Sequence, residues 1–487
     1  MQSTSPDRNA LLATVVAALG YFVDIFDLLL FVLVRRESLK EVLAVKLQAL
    51  EGEVATQLAH LSEGERAAEL IRRTDAVLGA AGVHLGNILQ MTGLVIGGIL
   101  WGVLADRFGR MRMLFGSILV YSLANILNAL IADVPAGSPF APLAWIGLDT
   151  AYNQYAVLRF VAGVGLAGEL GAGITLVSEL VSKERRGLAT TLIAAVGITG
   201  AVAAYFVSSH VGWRNAYLVG GMLGLGLLFL RVGVVESGMF DRVRQAHGVG
   251  RGAFWMLLYP RKRAIRYICV ILCAVPIWFC VGVLVSFCDR IGPALGLPID
   301  QKPSPSEAIM WCYVGLAAGD LSSGLLSQIL RSRRKAILVF HFLTALTMVA
   351  YFTVGGRSLT TFYVIVTAMG FASGYWAVFA TTAAEQFGTN LRATAATTAP
   401  NFVRWSAAGS ALMWVGFERV LGGPDVPSAV WVAAAIVGAI LLPVAMLSLL
   451  GLQESFGTSL DWVEDGQGER TAGAQTEVAY AADVSRA

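Results

Sequence analysis

Six charged side chains stand where charge is costly. Asp24 and Asp27 interrupt the apolar run 11–34, Arg159 and Glu169 the run 152–178, Asp320 the run 307–330, and Arg404 the run 393–417. Each run is long enough to cross a bilayer. A charge at mid-bilayer costs at least ~2.5–3.5 kcal/mol, so each must pair, face water or carry function. Asp24 and Asp27 are three residues apart and share a helix face. Asp27 lies seven residues before the end of its run, and Arg159 seven after the start of its own. First and fourth spans run in opposite directions, so at ~1.5 Å per residue both sit about 10 Å below one surface. Asp24 and Glu169 fall near the midplane. The chemistry on offer is reversible protonation: an arginine that moves away lets a carboxylate take a proton. We expect Asp27 and Arg159 to form a proton-sensitive pair, with Asp24 or Glu169 as a second titrating group. A permanent structural ion pair is the competing reading.

Asp320 and Arg404 lie near mid-depth in the C-terminal half. An arginine free at that depth is a bidentate receptor for a carboxylate. Trp278, Tyr375, Trp376, Asn401 and Trp405 would add stacking and hydrogen bonds. If Asp320 instead neutralises Arg404, the substrate is neutral. Other chemistries find little support. The histidines (His60, His84, His210, His247, His341) are scattered, and neither an HExxH pair nor a P-loop is present. Cys269, Cys273, Cys280, Cys288 and Cys312 form neither a CxxC metal pair nor a disulfide framework. We therefore expect no enzyme activity, no metal and no cofactor, with the proton gradient as energy source. A net charge of +3 argues for no nucleic-acid partner.

These residues need a membrane scaffold. The chain has 487 residues, 56% hydrophobic and 14% charged, with mean hydropathy +0.67. Soluble domains are nearer ~25% charged. Twelve spans are expected, at 11–34, 84–104, 112–131, 152–178, 188–208, 215–233, 264–288, 307–330, 335–355, 359–383, 393–417 and 429–450. The first run is too long for a signal-peptide core and lacks a small-residue cleavage site. The short loops on one side hold only Arg214, Arg290, Lys302, Arg357 and Arg419, while most other loop Lys and Arg fall opposite. This places both termini in the cytoplasm. The expected units are an N-terminal six-helix bundle (1–234), a central cytoplasmic loop (235–263), a C-terminal six-helix bundle (264–450) and a tail (451–487). The tail, with seven acidic residues and two arginines, reads as largely disordered. An insert at 35–83 reads as an outer helical hairpin. Leu39, Leu43, Leu47 and Leu50 mark one helix, and the capping box Ser62-Glu63-Gly64-Glu65 opens a second to about Arg73. The insert is a structural addition, or a lid or partner-docking surface.

The chain repeats itself. Glu179 precedes Arg186 by seven residues, as Glu385 precedes Arg392, at an offset of 206 that also maps Gly168 onto Gly374. Gly102-Val103-Leu104-Ala105-Asp106-Arg107 has an echo in Gly324-Leu325-Leu326-Ser327-Gln328, followed by Arg331, Arg333 and Arg334. A doubled six-helix unit is a transporter signature. Arg159 maps onto Ile365 and Glu169 onto Tyr375, so the acidic machinery is concentrated in the first half. Glu179, near the C-terminal end of a helix, wants a cation, and Arg107, Arg110 or Arg186 could serve. Such contacts suit a gate; a plain topology-setting basic loop is the alternative.

The stretch Gly102 to Arg110, with Asp106, Arg107 and Gly109, resembles the signature loop of the major facilitator superfamily. Arg159-Phe160-Val161-Ala162-Gly163-Val164-Gly165-Leu166-Ala167-Gly168-Glu169 resembles the fourth-helix motif of its proton-coupled branches. Its Gly168-Glu169, with Glu179 and Arg185-Arg186-Gly187, is most similar to the metabolite:proton symporters. Asp24-Ile25-Phe26-Asp27 resembles the paired aspartates of the aromatic-acid:proton symporters, with Ile25 where those carry Gly. The second aspartate also matches the first-helix aspartate of sugar porters. The fifth span lacks the Gly-Pro of drug/proton antiporters. The resemblance spans about 10–450, leaving the insert and tail unexplained. It implies an all-α integral membrane protein of two pseudo-symmetric six-helix bundles, acting as a monomer in a bacterial inner membrane. Its expected work is proton-coupled uptake of a small polar metabolite, a carboxylate, by alternating access. A sugar or polyol symporter and a non-transporting nutrient sensor are the alternatives.

Overall fold

The computed structural model describes residues 6–135, 137–181, 186–231, 254–298, 301–423, 426–458, 460, 462–464 and 470–472. Helix α1 (Pro6–Val42) breaks at Leu43 into α2 (Ala44–Gln57), and α3 (Glu63–Gly82) follows. The Ser62 capping box is formed: Glu65 N–H donates to Ser62 Oγ at 3.4 Å, and Ser62 N–H to Glu65 Oε2 at 2.9 Å. The helix it opens does not stop near Arg73. It runs to Gly82 and through a π-helical stretch (Val83–Gln90) into α4 (Met91–Phe108). No breaker interrupts the apolar residues after Thr74, so the insert is two prolonged spans joined by a short hairpin. Then come α5 (Arg110–Ala129), α6 (Ala151–Leu166), α7 (Glu169–Leu180), α8 (Arg186–Ile198) and α9 (Gly200–Arg231). Helix α9 turns at Gly212, where φ is +72°. The insert is tied to that turn by Glu41, which accepts from Trp213 Nε1 at 2.6 Å and pairs with Arg214 at 2.9 Å.

The second half comprises α10 (Arg261–Leu272), α11 (Val275–Phe279), α12 (Cys288–Ala294), α13 (Pro305–Ile329), α14 (Arg333–Val354), α15 (Leu359–Ser373), α16 (Trp376–Glu385), α17 (Arg392–Val420) and α18 (Pro427–Ser448). The seventh span is not one helix: it breaks before Pro276 and takes π geometry over Cys280–Val285. Among the described residues nine stretches are long and apolar enough to span a membrane, one of them folded double at Gly212. The interrupted fourth span (α6 and α7) and the polar eleventh (α17) bring the crossings to twelve. The fold is all-α, two bundles of six.

The repeat is visible in the packing. Gly93 and Gly163 let α4 and α6 meet at backbone distance: a Cβ would fall 2.3 Å from Phe160 O and 2.2 Å from Gln90 O. Gly315 and Gly370 do the same for α13 and α15, with 2.0 Å to Thr367 O and to Cys312 O. Such small-residue seams take the place of a hydrophobic drive between helices in lipid. Fourth and tenth spans are both interrupted, at Ala167-Gly168 and Gly374-Tyr375.

Part of the tail is ordered, and the rest of it lies outside the described residues. Residues 452–458, 460 and 462–464 pack against the loop joining α16 to α17, and strand β1 (Trp462–Glu464) pairs with β2 (Arg470–Ala472). Buried Glu464 pairs with Arg263 at 3.0 Å and with Arg266. Glu454 accepts from Arg333 N–H at 2.9 Å and from Ser332 Oγ. Leu452, Leu460 and Trp462 are buried as well. Glu464 has dedicated cations and Glu454 has backbone and hydroxyl donors, and composition alone does not show that.

Candidate functional site

Arg404 projects from α17 toward α1. It pairs with Asp24 at 3.5 Å, a contact between the two halves, and both side chains are fully buried. Arg404 Nη1 donates to Asn401 Oδ1 at 3.1 Å, and its guanidinium lies 5.6 Å from the Trp376 ring centre. Asn401 Nδ2 donates to Ala167 O at 3.1 Å, again across the halves. Beside the pair is a cavity of about 20 Å³, lined among others by Tyr21, Ile25, Trp278, Tyr313, Trp376 and Arg404. That volume suits one water molecule. Trp376 Nε1, Arg404 Nε and Asp24 Oδ1 are buried near it without a hydrogen-bond partner among the described residues. The chamber is apolar and aromatic, with one cation on its wall and three buried polar atoms beside it.

Several expected neighbours go elsewhere. Arg404 is neither free nor neutralised by Asp320, whose Oδ1 accepts from Ala377 N–H at 3.0 Å in the first turn of α16. Tyr375 donates to Cys273 O at 3.2 Å and lies 5.2 Å from His341, inside the C-terminal bundle. Trp405 is 47% exposed and faces outward. Tyr21 and Tyr313 join the site unannounced, although Tyr21 sits three residues before Asp24 on the same helix face.

Asp27 and Arg159 are both fully buried, but no direct ion pair joins them among the described residues. Arg159 Nη2 donates to Asn125 Oδ1 at 2.8 Å, and its guanidinium lies 4.6 Å from the Tyr217 ring centre. Among the described residues neither Asp27 oxygen meets hydrogen-bond geometry, although Arg159 and Asn125 act on the carboxylate. Gly220 makes room for Asp27: a Cβ there would lie 2.1 Å from Oδ1. Equal depth brought the two residues to one level, and Asn125 took the arginine. Glu169 is buried in the first turn of α7.

The loop 102–110 closes one end of the seam between halves. Asp106 accepts from Ala393 N–H (3.2 Å), Thr394 N–H (2.8 Å) and Thr394 Oγ1 (2.7 Å), and so caps the N-terminus of α17. Gly102 packs on Thr394, where a Cβ would lie 2.9 Å from Cα. Gly109 ends α4 with φ +107°. Thr381 donates to Thr190 at 2.8 Å, a further contact between halves on this side. Arg107 is exposed; the side chains of Arg110, Glu179 and Arg186 lie outside the described residues. In the other half Glu385 pairs with Arg333 at 3.3 Å, the cation coming from the basic loop between spans eight and nine. Arg392 donates to Leu460 O at 2.6 Å, in the tail. At the insert end a cleft of about 490 Å³ separates the halves. The halves thus meet at the loop 102–110 and at the Asp24–Arg404 pair, and a cleft lies between them at the insert end.

A sequence profile described as Major Facilitator Superfamily matches residues 74–411. A niacin transporter of Acinetobacter baylyi is 27% identical over 343 residues, 62% of this chain and 70% of that protein. The 3-(3-hydroxy-phenyl)propionate transporter of Escherichia coli is 27% identical over 289 residues, 55% of this chain and 65% of that protein. A solved structure of a proton:xylose symporter superposes with TM-score 0.67 at 17% identity, covering 93% of this chain and 98% of the other.

Proposed function

The chain belongs to the Major Facilitator Superfamily, an integral-membrane family of transporters rather than enzymes, and from that premise we propose that it is a proton-coupled symporter of a small aromatic carboxylate. The observation that carries this reading is the buried Asp24–Arg404 pair, which joins the halves beside an aromatic chamber. A substrate carboxylate and the Asp24 carboxylate compete for one guanidinium. Protonation of Asp24 removes its claim and frees Arg404 for bidentate binding of the substrate. Proton and anion then enter together, because either alone leaves an uncompensated buried charge, worth about 3–5 kcal/mol. Trp278 and Trp376 supply the aromatic walls. Release toward the cytoplasm requires the seam at Asp106, Thr190 and Thr381 to part while the insert end closes, which is alternating access. The niacin and hydroxyphenylpropionate relatives support the substrate class.

Both termini belong in the cytoplasm by the distribution of Lys and Arg, which makes the insert end external and gradient-driven symport an uptake. The test is proton entry into proteoliposomes challenged with nicotinate, benzoate and 4-hydroxybenzoate, then with neutral sugars. Proton entry with the acids supports the reading. Entry with sugars alone replaces it with sugar symport. Binding without flux in either set replaces it with a sensor.

A further inference from the structure

The cleft at the insert end has no role in the chemistry above, and its lining is unusual. It is bounded by Arg35, Arg36 and Gly79 of the first half and Asp289, Arg290 and Lys302 of the second. Among the lining residues are four cations and one carboxylate, and Arg290 is engaged by Glu418 from outside the lining. Lys302 is 3.8 Å from Asp289, and Arg290 pairs with Glu418 at 2.6 Å while stacking 4.8 Å from the Trp414 ring centre. Arg35 is different. Its guanidinium makes no ion pair or hydrogen bond among the described residues, although the side chain is half-buried. Helix α3 holds its stem: a Cβ at Gly82 would lie 2.6 Å from Arg35 Cδ. The insert thus positions in a cleft between the halves a cation that no ion pair or hydrogen bond holds among the described residues, with Asp289, which Lys302 also engages, as the opposite charge acting on it. Arg35 follows Asp24 by eleven residues on one continuous helix, so it sits about 16 Å along the axis from the central pair.

We propose that this cleft is an anion-binding antechamber, built by the insert, in which Arg35 captures an organic carboxylate before it descends to Arg404. The inference rests on the carboxylate reading of the central site. It assigns the prolonged first and second spans a purpose: they carry one wall of a second station beyond the membrane-embedded site. A cleft with an excess of positive charge and protein walls raises the local concentration of anions and is sensitive to salt.

The test reads the cleft directly and does not need transport. A cysteine at Gly79, where a Cβ meets nothing within 4 Å, places a thiol in the cleft, and one at Gly64, equally unobstructed, serves as the control elsewhere on α3. Both are made in a Cys269→Ala background and reconstituted in phosphatidylcholine vesicles. Each is labelled with a sulfonate-bearing and with a trimethylammonium-bearing methanethiosulfonate. The anionic-to-cationic rate ratio at Gly79→Cys should exceed that at Gly64→Cys by about fivefold at low salt. Adding Arg35→Gln should remove most of that excess, and millimolar benzoate should slow labelling at Gly79→Cys only. Equal ratios at the two sites, or a ratio indifferent to Arg35→Gln, would overturn the proposal. Protection by anionic lipid with none by benzoate would overturn it too, assigning the cleft to headgroups. Loss of the central reading shows separately, as absence of carboxylate-driven proton entry in unmodified protein.

Discussion

Asp24 and Asp27 occupy one face of one helix, three residues apart, and both are fully buried. Their partners differ in kind. Asp24 reaches Arg404 in the other half. Asp27 stays within its own half, against Gly220, and near it Arg159 is engaged by Asn125 and Tyr217. A contact between halves must break when the halves rock, and a contact within one half travels with it. The difference teaches that burial and charge do not by themselves make a coupling residue. What matters is whether the partner is one that the substrate and the conformational change can take away. In the proposed mechanism Asp24 is the residue that meets that condition.

The largest effect follows from removing the shared partner. Arg404→Ala leaves Asp24 buried beside a vacated space and should cost about 3–5 kcal/mol. A lower melting temperature and no measurable carboxylate uptake are expected, with Arg404→Lys melting nearer the parent. Uptake of a carboxylate at the parent rate by Arg404→Ala would remove the anion-receptor role. Next comes Asp27→Asn. Because no ion pair is lost, uptake should slow by less than about tenfold and keep its proton dependence. Complete loss of proton dependence would erase the contrast between the two aspartates. The smallest effect belongs to the gate. Asp106→Ala deletes the cap of α17, worth about 1 kcal/mol. A cysteine at Thr190, in the closed seam, should then label about fivefold faster. Unchanged labelling would return the loop 102–110 to a topology-setting role.

Much of the scaffold was legible in the sequence because membrane solvation leaves few choices. Apolar runs of about 20 residues must be helices, and a 206-residue offset in glycine and charge positions signals a doubled bundle. The Ser62 box was legible because both partners lie within one turn. The pairings were not. Depth along a span places Asp27 and Arg159 at one height and says nothing of azimuth, and azimuth gave the arginine to Asn125. The Asp24–Arg404 contact joins residues 380 positions apart, so it needed the packing of the two halves. The order in the described part of the tail was hidden for a related reason. Its acidic composition suggests solvation, yet Glu464 meets Arg263 and Arg266 some two hundred positions earlier. Gly388 leaves no room for a Cβ beneath Val463.

The most direct measurement is Asp24→Asn in proteoliposomes, comparing exchange of labelled nicotinate between the two faces with accumulation driven by an imposed proton gradient. An asparagine mimics the protonated acid and leaves Arg404 available to the substrate in every state. Exchange should persist at a rate near that of the parent protein, while gradient-driven accumulation should vanish. Accumulation with the parent's proton dependence would contradict the claim that competition for Arg404 couples the proton to the anion.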